Sequence, residues 1–134
     1  MNHEQTIERI YAAFGRGDIP SILSALSEDV AWEWAYAESV TVPWLLPRRG
    51  PAQVGEFFRV LVTQLEVQRF EVKTLLAKGP VVVALFDFDA TVKATGRAIC
   101  ERDEAHVWHF DGAGKIARFR HAADTLQHFR ALAG

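Results

Sequence analysis

The chain has 134 residues, 49% of them hydrophobic, and a formal net charge of -2 at neutral pH. That length supports a buried core and one globular domain over 1–134, and the lack of a basic run or basic helix face excludes nucleic acid and anionic membranes as expected partners. Cys100 stands alone, so no internal disulfide can form, and MNHEQTIERI at the N-terminus carries no leader-like or bilayer-length apolar run, which makes a cytoplasmic location the expectation.

The first helix is written by Asn2 as cap, Gln5 in the capping-box place, and Ile7, Ile10, Tyr11 and Phe14 at helical spacing. Gly15 and Gly17 end it. Asp18 caps a second, short helix whose stripe is Ile19, Ile22, Leu23 and Leu26, with Pro20 tolerated in its first turn. Val30 to Tyr36 then alternates, placing Val30, Trp32, Trp34 and Tyr36 on one face of a strand. The stretch 37–50 is broken by Pro43, Pro47 and Gly50, yet Trp44, Leu45 and Leu46 lie in it, so it reads as a lid or wall packed on the body. Pro51 starts a third helix with the stripe Val54, Phe57, Phe58, Leu61 and Leu65.

Strands follow. Phe70, Val72, Thr74 and Leu76 share one face of the first, and Lys78-Gly79-Pro80 turns the chain. On the next, Val81 to Lys93, Phe86, Phe88, Ala90 and Val92 point one way while Asp87, Asp89 and Thr91 point to solvent or a subunit surface. Residues 97–110 and 115–122 form a hairpin around Asp111-Gly112-Ala113-Gly114, with His106, Trp108 and Phe110 on one arm facing the same way as Phe119, His121 and Ala123 on the other. Arg97, Arg118 and Arg120 belong to the outer face. Asp124, with Gln127 three residues on, caps a last helix running through Leu126, Phe129 and Leu132. Helices gathered before hairpin-linked strands indicate an α+β domain with a bent antiparallel sheet packed on its helices.

The motifs Tyr11-Ala12-Ala13-Phe14, Gly17-Asp18, Asp29-Val30-Ala31-Trp32, Arg49-Gly50 to Phe57-Phe58, His106-Val107-Trp108, Gly114-Lys115-Ile116, Phe119-Arg120 and Asp124-Thr125 run in order along nearly the whole chain. In that order and spacing the sequence resembles a SnoaL-like member of the NTF2-like superfamily, the group that holds ketosteroid isomerase, limonene epoxide hydrolase and scytalone dehydratase. The resemblance implies a cone in which the curved sheet wraps the N-terminal helices, leaving a cavity at the wide end. It also implies a homodimer through the outer sheet face and a small apolar molecule as ligand.

Within that group the best-defined chemistries lack their residues. Aligned on the resemblance, ketosteroid isomerase would have its tyrosine at Ile10, its base at Trp34 and its aspartic acid donor at His106. Limonene epoxide hydrolase keeps one acidic member at Asp124, but Phe86 and Phe88 face inward where its other two members belong. A SnoaL-type cyclase needs only one acid/base side chain in an apolar cavity, because the substrate's own acidic C–H carries most of the chemistry.

The acid/base candidates are His106, His121 and Asp124. Burial lowers a histidine's pKa and a nearby carboxylate raises it, a balance expected to leave one titrating near neutral pH. The two imidazoles read either as core residues bonded to backbone or to each other, or as ligand contacts; Asp124 reads both as a cap and as a rim carboxylate orienting His121. Tyr11 and the indoles of Trp32, Trp34 and Trp108 are the candidate donors to a substrate carbonyl, and with Phe14, Trp44, Phe57, Phe88 and Phe119 they are the expected ligand-binding wall. His106 and His109 lie three apart on a strand and face opposite ways, so no metal site is expected, and no cofactor. Two functions remain: a cofactor-independent isomerase, cyclase or hydrolase type of enzyme on a carbonyl or polyketide-like compound, or a non-catalytic binding or dimeric accessory protein.

Overall fold

The computed structural model describes residues 1–34 and 42–134. Helix α1 spans His3–Gly15, and both bonds of its capping box form, from the Gln5 N–H to Asn2 and from the Asn2 N–H to Gln5. It buries Ile7, Ile10 and Ala13. Helix α2, Ile19–Leu23, is capped by Asp18 and stops sooner than its apolar stripe implies. Leu26 instead opens strand β1, Leu26–Trp34, because it already pairs with Ile116, whose N–H donates to the Ala25 carbonyl. Trp32 and Trp34 face inward as the alternation requires; Tyr36 lies outside the described residues.

A 3₁₀ turn at Pro43–Leu45 buries Val42, Trp44 and Leu45, so this part of the loop is a wall of the interior. The short β2, Arg48–Arg49, leads into α3, Gly50–Gln64, which buries Val54, Phe57 and Phe58. Four long strands follow: β3 (Leu65–Lys78), β4 (Val81–Val92), β5 (Ala98–Phe110) and β6 (Ile116–Ala122). The sheet order is β2-β1-β6-β5-β4-β3, antiparallel from β3 to β6, with β1 running parallel to β6. It is a curved, open sheet with the helices on its concave side, the NTF2-like α+β cone.

Bulges set which side chains turn inward. Between Val72 and Thr74 the β3 register shifts, so Leu75 is half-buried while Leu76, expected inside, is 57% exposed. On β5 the shift lies between the partners of Phe86 and Phe88, which are Glu104 and Glu101, and Asp103 there adopts a left-handed φ of 55°. That extra residue inverts the alternation. Glu101 consequently shares the inner face with His106 and Trp108, five and seven residues on.

Helix α4, Thr125–Ala133, turns a different face to the core from the one its large apolar residues suggest. Leu126 and Phe129 are 55% and 49% exposed, whereas His128 and Ala131 are buried. Gln127 fixes this rotation: its amide accepts from the Cys100 N–H and donates to the Cys100 carbonyl, completing a strand edge that β6 leaves open. Asp124 caps the helix by accepting from the Gln127 N–H.

Asp87, expected at a solvated or subunit surface, is 5% exposed because Lys73 and Arg69 fold over it, at 3.0 and 3.2 Å, and the Asp103 N–H donates to it. Asp89 pairs with Arg102 at 2.9 Å. Both still lie on the outer face. Gly50 has a φ of +79°, and a Cβ there would meet the Glu28 carbonyl oxygen at 3.1 Å. Gly50→Ala is therefore expected to cost about 1–3 kcal/mol, read by urea denaturation, and an unchanged midpoint would show that this junction carries no such constraint.

Candidate functional site

The concave face of the sheet and the three N-terminal helices enclose a nearly all-apolar cavity in which the centre of a water-sized sphere can range over about 80 Å³. Tyr11, Phe14, Trp32, Trp34, Trp44, Phe57, Phe88, Trp108 and Phe119 all line it, as do His106 and His121. Asp124 does not. The walls are aromatic by construction: Trp32 stacks on Phe119 at 3.9 Å between ring centres, and Phe70 on Phe86 at 4.9 Å.

Few polar atoms reach this space, and most have their partners. The Trp108 Nε1–H donates to the Tyr11 oxygen at 3.0 Å, and Tyr11 lies 2.7 Å from His106 Nδ1. An indole N–H only donates, so the Tyr11 oxygen accepts from Trp108; the phenol's own proton has no other acceptor among the described residues and goes to His106. His106 Nδ1 is thus an acceptor and its ring proton sits on Nε2, which has no partner among the described residues. Burial pushes the Tyr11 phenol well above its ordinary value of 10.0, against the Trp108 bond, so it keeps the proton it donates.

His121 stands directly opposite His106 on the paired strand, with ring centres 4.6 Å apart and planes at 80°. The two do not hydrogen-bond, so neither fixes the other's tautomer; Tyr11 does that for His106. His121 Nε2 is buried without a partner among the described residues, and so is the Trp32 Nε1–H. Trp34 donates to the Leu46 carbonyl and Trp108 to Tyr11, leaving Trp32 as the free indole among those expected to donate. Asp124 serves as the α4 cap and does not contact His121.

Among the described residues no carboxylate approaches His106, and burial pushes its pKa down to about 3. His121 is likewise well below the ordinary 6.5, through burial first and then its histidine neighbours. Titration near neutral pH, expected from a balance of burial and a carboxylate, therefore does not occur here: the carboxylate half of the balance is missing. Both rings are neutral at pH 7.

A third histidine, which the sequence pattern did not single out, lines the same cavity. Trp44 Nε1–H donates to His128 Nδ1 at 2.8 Å, and His128 Nε2 lies 2.9 Å from Glu101 Oε1. Burial works against the Glu101 charge, but hydrogen bonds from His128 and Glu104 outweigh it and hold the carboxyl below its usual range. Glu104 is pushed up to about 8, by burial and by the bond and charge of Glu101. Among the described residues no three His, Cys, Asp or Glu side chains gather to hold a metal ion.

A cavity of this kind inside a cone defines an NTF2-like pocket protein. The chain belongs to the SnoaL-like domain family, whose model matches residues 7–119. Among solved structures it is similar to an NTF2-like protein of unknown function from Burkholderia pseudomallei, at 27% identity over 100% of this chain and 99% of that one, with a TM-score of 0.86. A Burkholderia thailandensis NTF2-like protein is 25% identical over 98% of each chain, again with a TM-score of 0.86. A candidate SnoaL-like polyketide cyclase from Mesorhizobium loti shares the fold, at 20% identity over 92% of this chain and 100% of that one, with a TM-score of 0.73. No curated protein matches the sequence. Among the described residues no helix is long and apolar enough to cross a membrane.

The buried histidines link folding to pH. A neutral folded ring whose unfolded form titrates at 6.5 means that the unfolded chain binds more protons below that value, so stability falls as pH drops from 6.5 toward 3. Glu104 acts in the opposite sense, since its folded carboxyl keeps a proton between 4.5 and about 8 and stability declines as pH rises through that window. The two windows overlap from 4.5 to 6.5, where two histidines outweigh one carboxyl, so urea midpoints measured from pH 4 to 9 are expected to peak near pH 6.5. His106→Phe should flatten the acid limb by at most about 1.4 kcal/mol per pH unit below 6.5, and Glu104→Gln the alkaline one; limbs unchanged in both variants would remove these groups as the cause.

Proposed function

We propose that this protein takes up a small, mostly apolar carbonyl compound of one or two rings and promotes a proton shift or ring closure on it without a cofactor. The observation that carries this reading is the chain from Trp108 through Tyr11 to His106, which leaves the Nε2–H of a cavity-lining ring without a partner among the described residues. A neutral imidazole held in one tautomer is a hydrogen-bond donor that needs no charge to be desolvated. It favours an oxygen that gains negative charge, as in an enolate. The Trp32 N–H and His121 Nε2 have no partner among the described residues and lie buried in the same wall. Asp124 enters only by capping α4.

The second reading, a non-catalytic binder, is favoured by one observation: among the described residues neither His106 nor His121 has a carboxylate to support the protonated ring. The two readings part on a simple probe. 2-Indanone should quench the tryptophan fluorescence on binding, and in D₂O the protein should speed deuterium uptake beside its carbonyl, followed by proton NMR. His106→Phe is expected to lower that exchange about 100-fold or more. Binding without exchange selects the binder; no binding at all removes the carbonyl compound as ligand.

A homodimer through the outer sheet face is part of the same proposal. Support comes from a patch there of half-buried Val81, Val83, Leu85 and Val107 with the exposed Leu76, bordered by the ion pairs of Lys73 and Arg102. Light scattering should give the mass of two chains, and of one chain for the double variant Leu76→Glu, Val83→Glu. A monomeric natural protein would sink the idea.

A further inference from the structure

We propose that His128, held by Glu101, is the proton acceptor of the cavity, with Trp44 as the cover that a bound ligand displaces. This rests on the carbonyl-compound reading of the pocket and adds the partner that His106 lacks. Of the three histidines lining the cavity, His128 is the one bonded to a carboxylate among the described residues.

The proton positions follow from the partners. Trp44 can only donate, so His128 Nδ1 is a lone pair, and the ring proton lies on Nε2, donated to Glu101. Glu101 has no side-chain exposure and His128 only 2%. Proton uptake at Nδ1 turns this neutral ring and carboxylate into an imidazolium–carboxylate pair with no new net charge in the interior, whereas the same event at His106 or His121 would bury an unpaired cation. Glu101 also receives a hydrogen bond from Glu104 and, at 3.0 Å, one from the Asp124 N–H, so its lone pairs are held in place as the pair forms. The titratable groups around the ring are Glu101 and Glu104 on β5, Asp124 at the α4 cap and His121 on β6.

Placement suits a two-sided attack. His106 packs on Phe86 at 4.2 Å and His128 lies parallel to Phe88 at 6.5 Å. Phe86 and Phe88 are neighbours on one face of β4, roughly 7 Å apart. Both imidazoles thus border one stretch of the cavity wall. In the step, the C–H bond breaks, its proton goes to His128 Nδ1, and the electron pair moves into the enolate, whose oxygen accepts from His106 Nε2–H. Returning the proton to another carbon completes an isomerisation with no other reactant. Trp44 must swing away from Nδ1 first. His128 is then a catalytic residue, while Glu101 is a positioning residue.

The test uses 2-indanone and the full chain. In His128→Asn the amide oxygen can still accept from Trp44 but cannot take up a proton; fluorescence binding should stay within about threefold while deuterium exchange falls about 100-fold or more. Glu101→Gln should lower the exchange rate and move its pH profile, which a merely structural role would not do. Circular dichroism separates loss of activity from loss of folding. Exchange at the natural rate in folded His128→Asn, or an unmoved profile in Glu101→Gln, overturns the proposal. Binding without exchange in the natural protein overturns the acceptor role and leaves the pocket reading standing. If 2-indanone does not bind, that reading fails, and ring-¹⁵N NMR decides the dyad by itself: an unprotonated Nδ1 bonded to the Trp44 N–H at pH 7 upholds it, and a protonated Nδ1 overturns it.

Discussion

The hydrogen bonds from Trp108 to Tyr11 and from Tyr11 to His106 join α1 to the sheet at the place where the interior is least able to tolerate an unpaired polar atom. The directions follow from the partners: the indole can only donate, and His106 is the acceptor that the described residues offer to the phenol proton. The result is one imidazole in one tautomer on the wall of an apolar space. Everything chemical about this wall follows from that order, and α1 must dock in the observed register to supply it.

The opposite wall depends on a single extra residue. The bulge at Asp103, with its left-handed backbone, inverts the alternation along β5 and brings Glu101 to the inner face. There it meets His128 from α4, whose rotation is set by Gln127 bonding to both backbone groups of Cys100. A carboxylate inside an apolar cavity would be costly alone. Paired with His128, Glu104 and the Asp124 N–H it becomes a held group, and the 3₁₀ turn carrying Trp44 closes over it.

The two walls divide the polar work in a way that explains why burial alone does not decide it. His106 and His121 sit among aromatic rings with no carboxylate among the described residues, so desolvation keeps them neutral. His128 has the same burial and a charged partner. The difference between a donor and an acceptor of protons in this cavity is thus the presence of Glu101, not depth.

The amphipathic periods of α1 and α3, the inward aromatic row Trp32, Trp34, Phe86, Phe88, Trp108 and Phe119, and the facing pair His106 and His121 were legible from the residues alone, because unbroken alternation fixes which side chains share a face. The family followed from motif order. What the sequence could not show is where alternation breaks: Glu101 and Leu76 changed sides through bulges, which depend on pairing with a neighbouring strand. His128 lay hidden for a related reason, since α4 buries a histidine and an alanine while exposing Leu126 and Phe129, and its rotation is chosen by contacts to β5. Local pattern determined the aromatic shell and its histidine pair; only tertiary hydrogen bonding, which orients donors and acceptors far apart in the chain, decided which nitrogen is free, which is spoken for, and which ring meets a carboxylate.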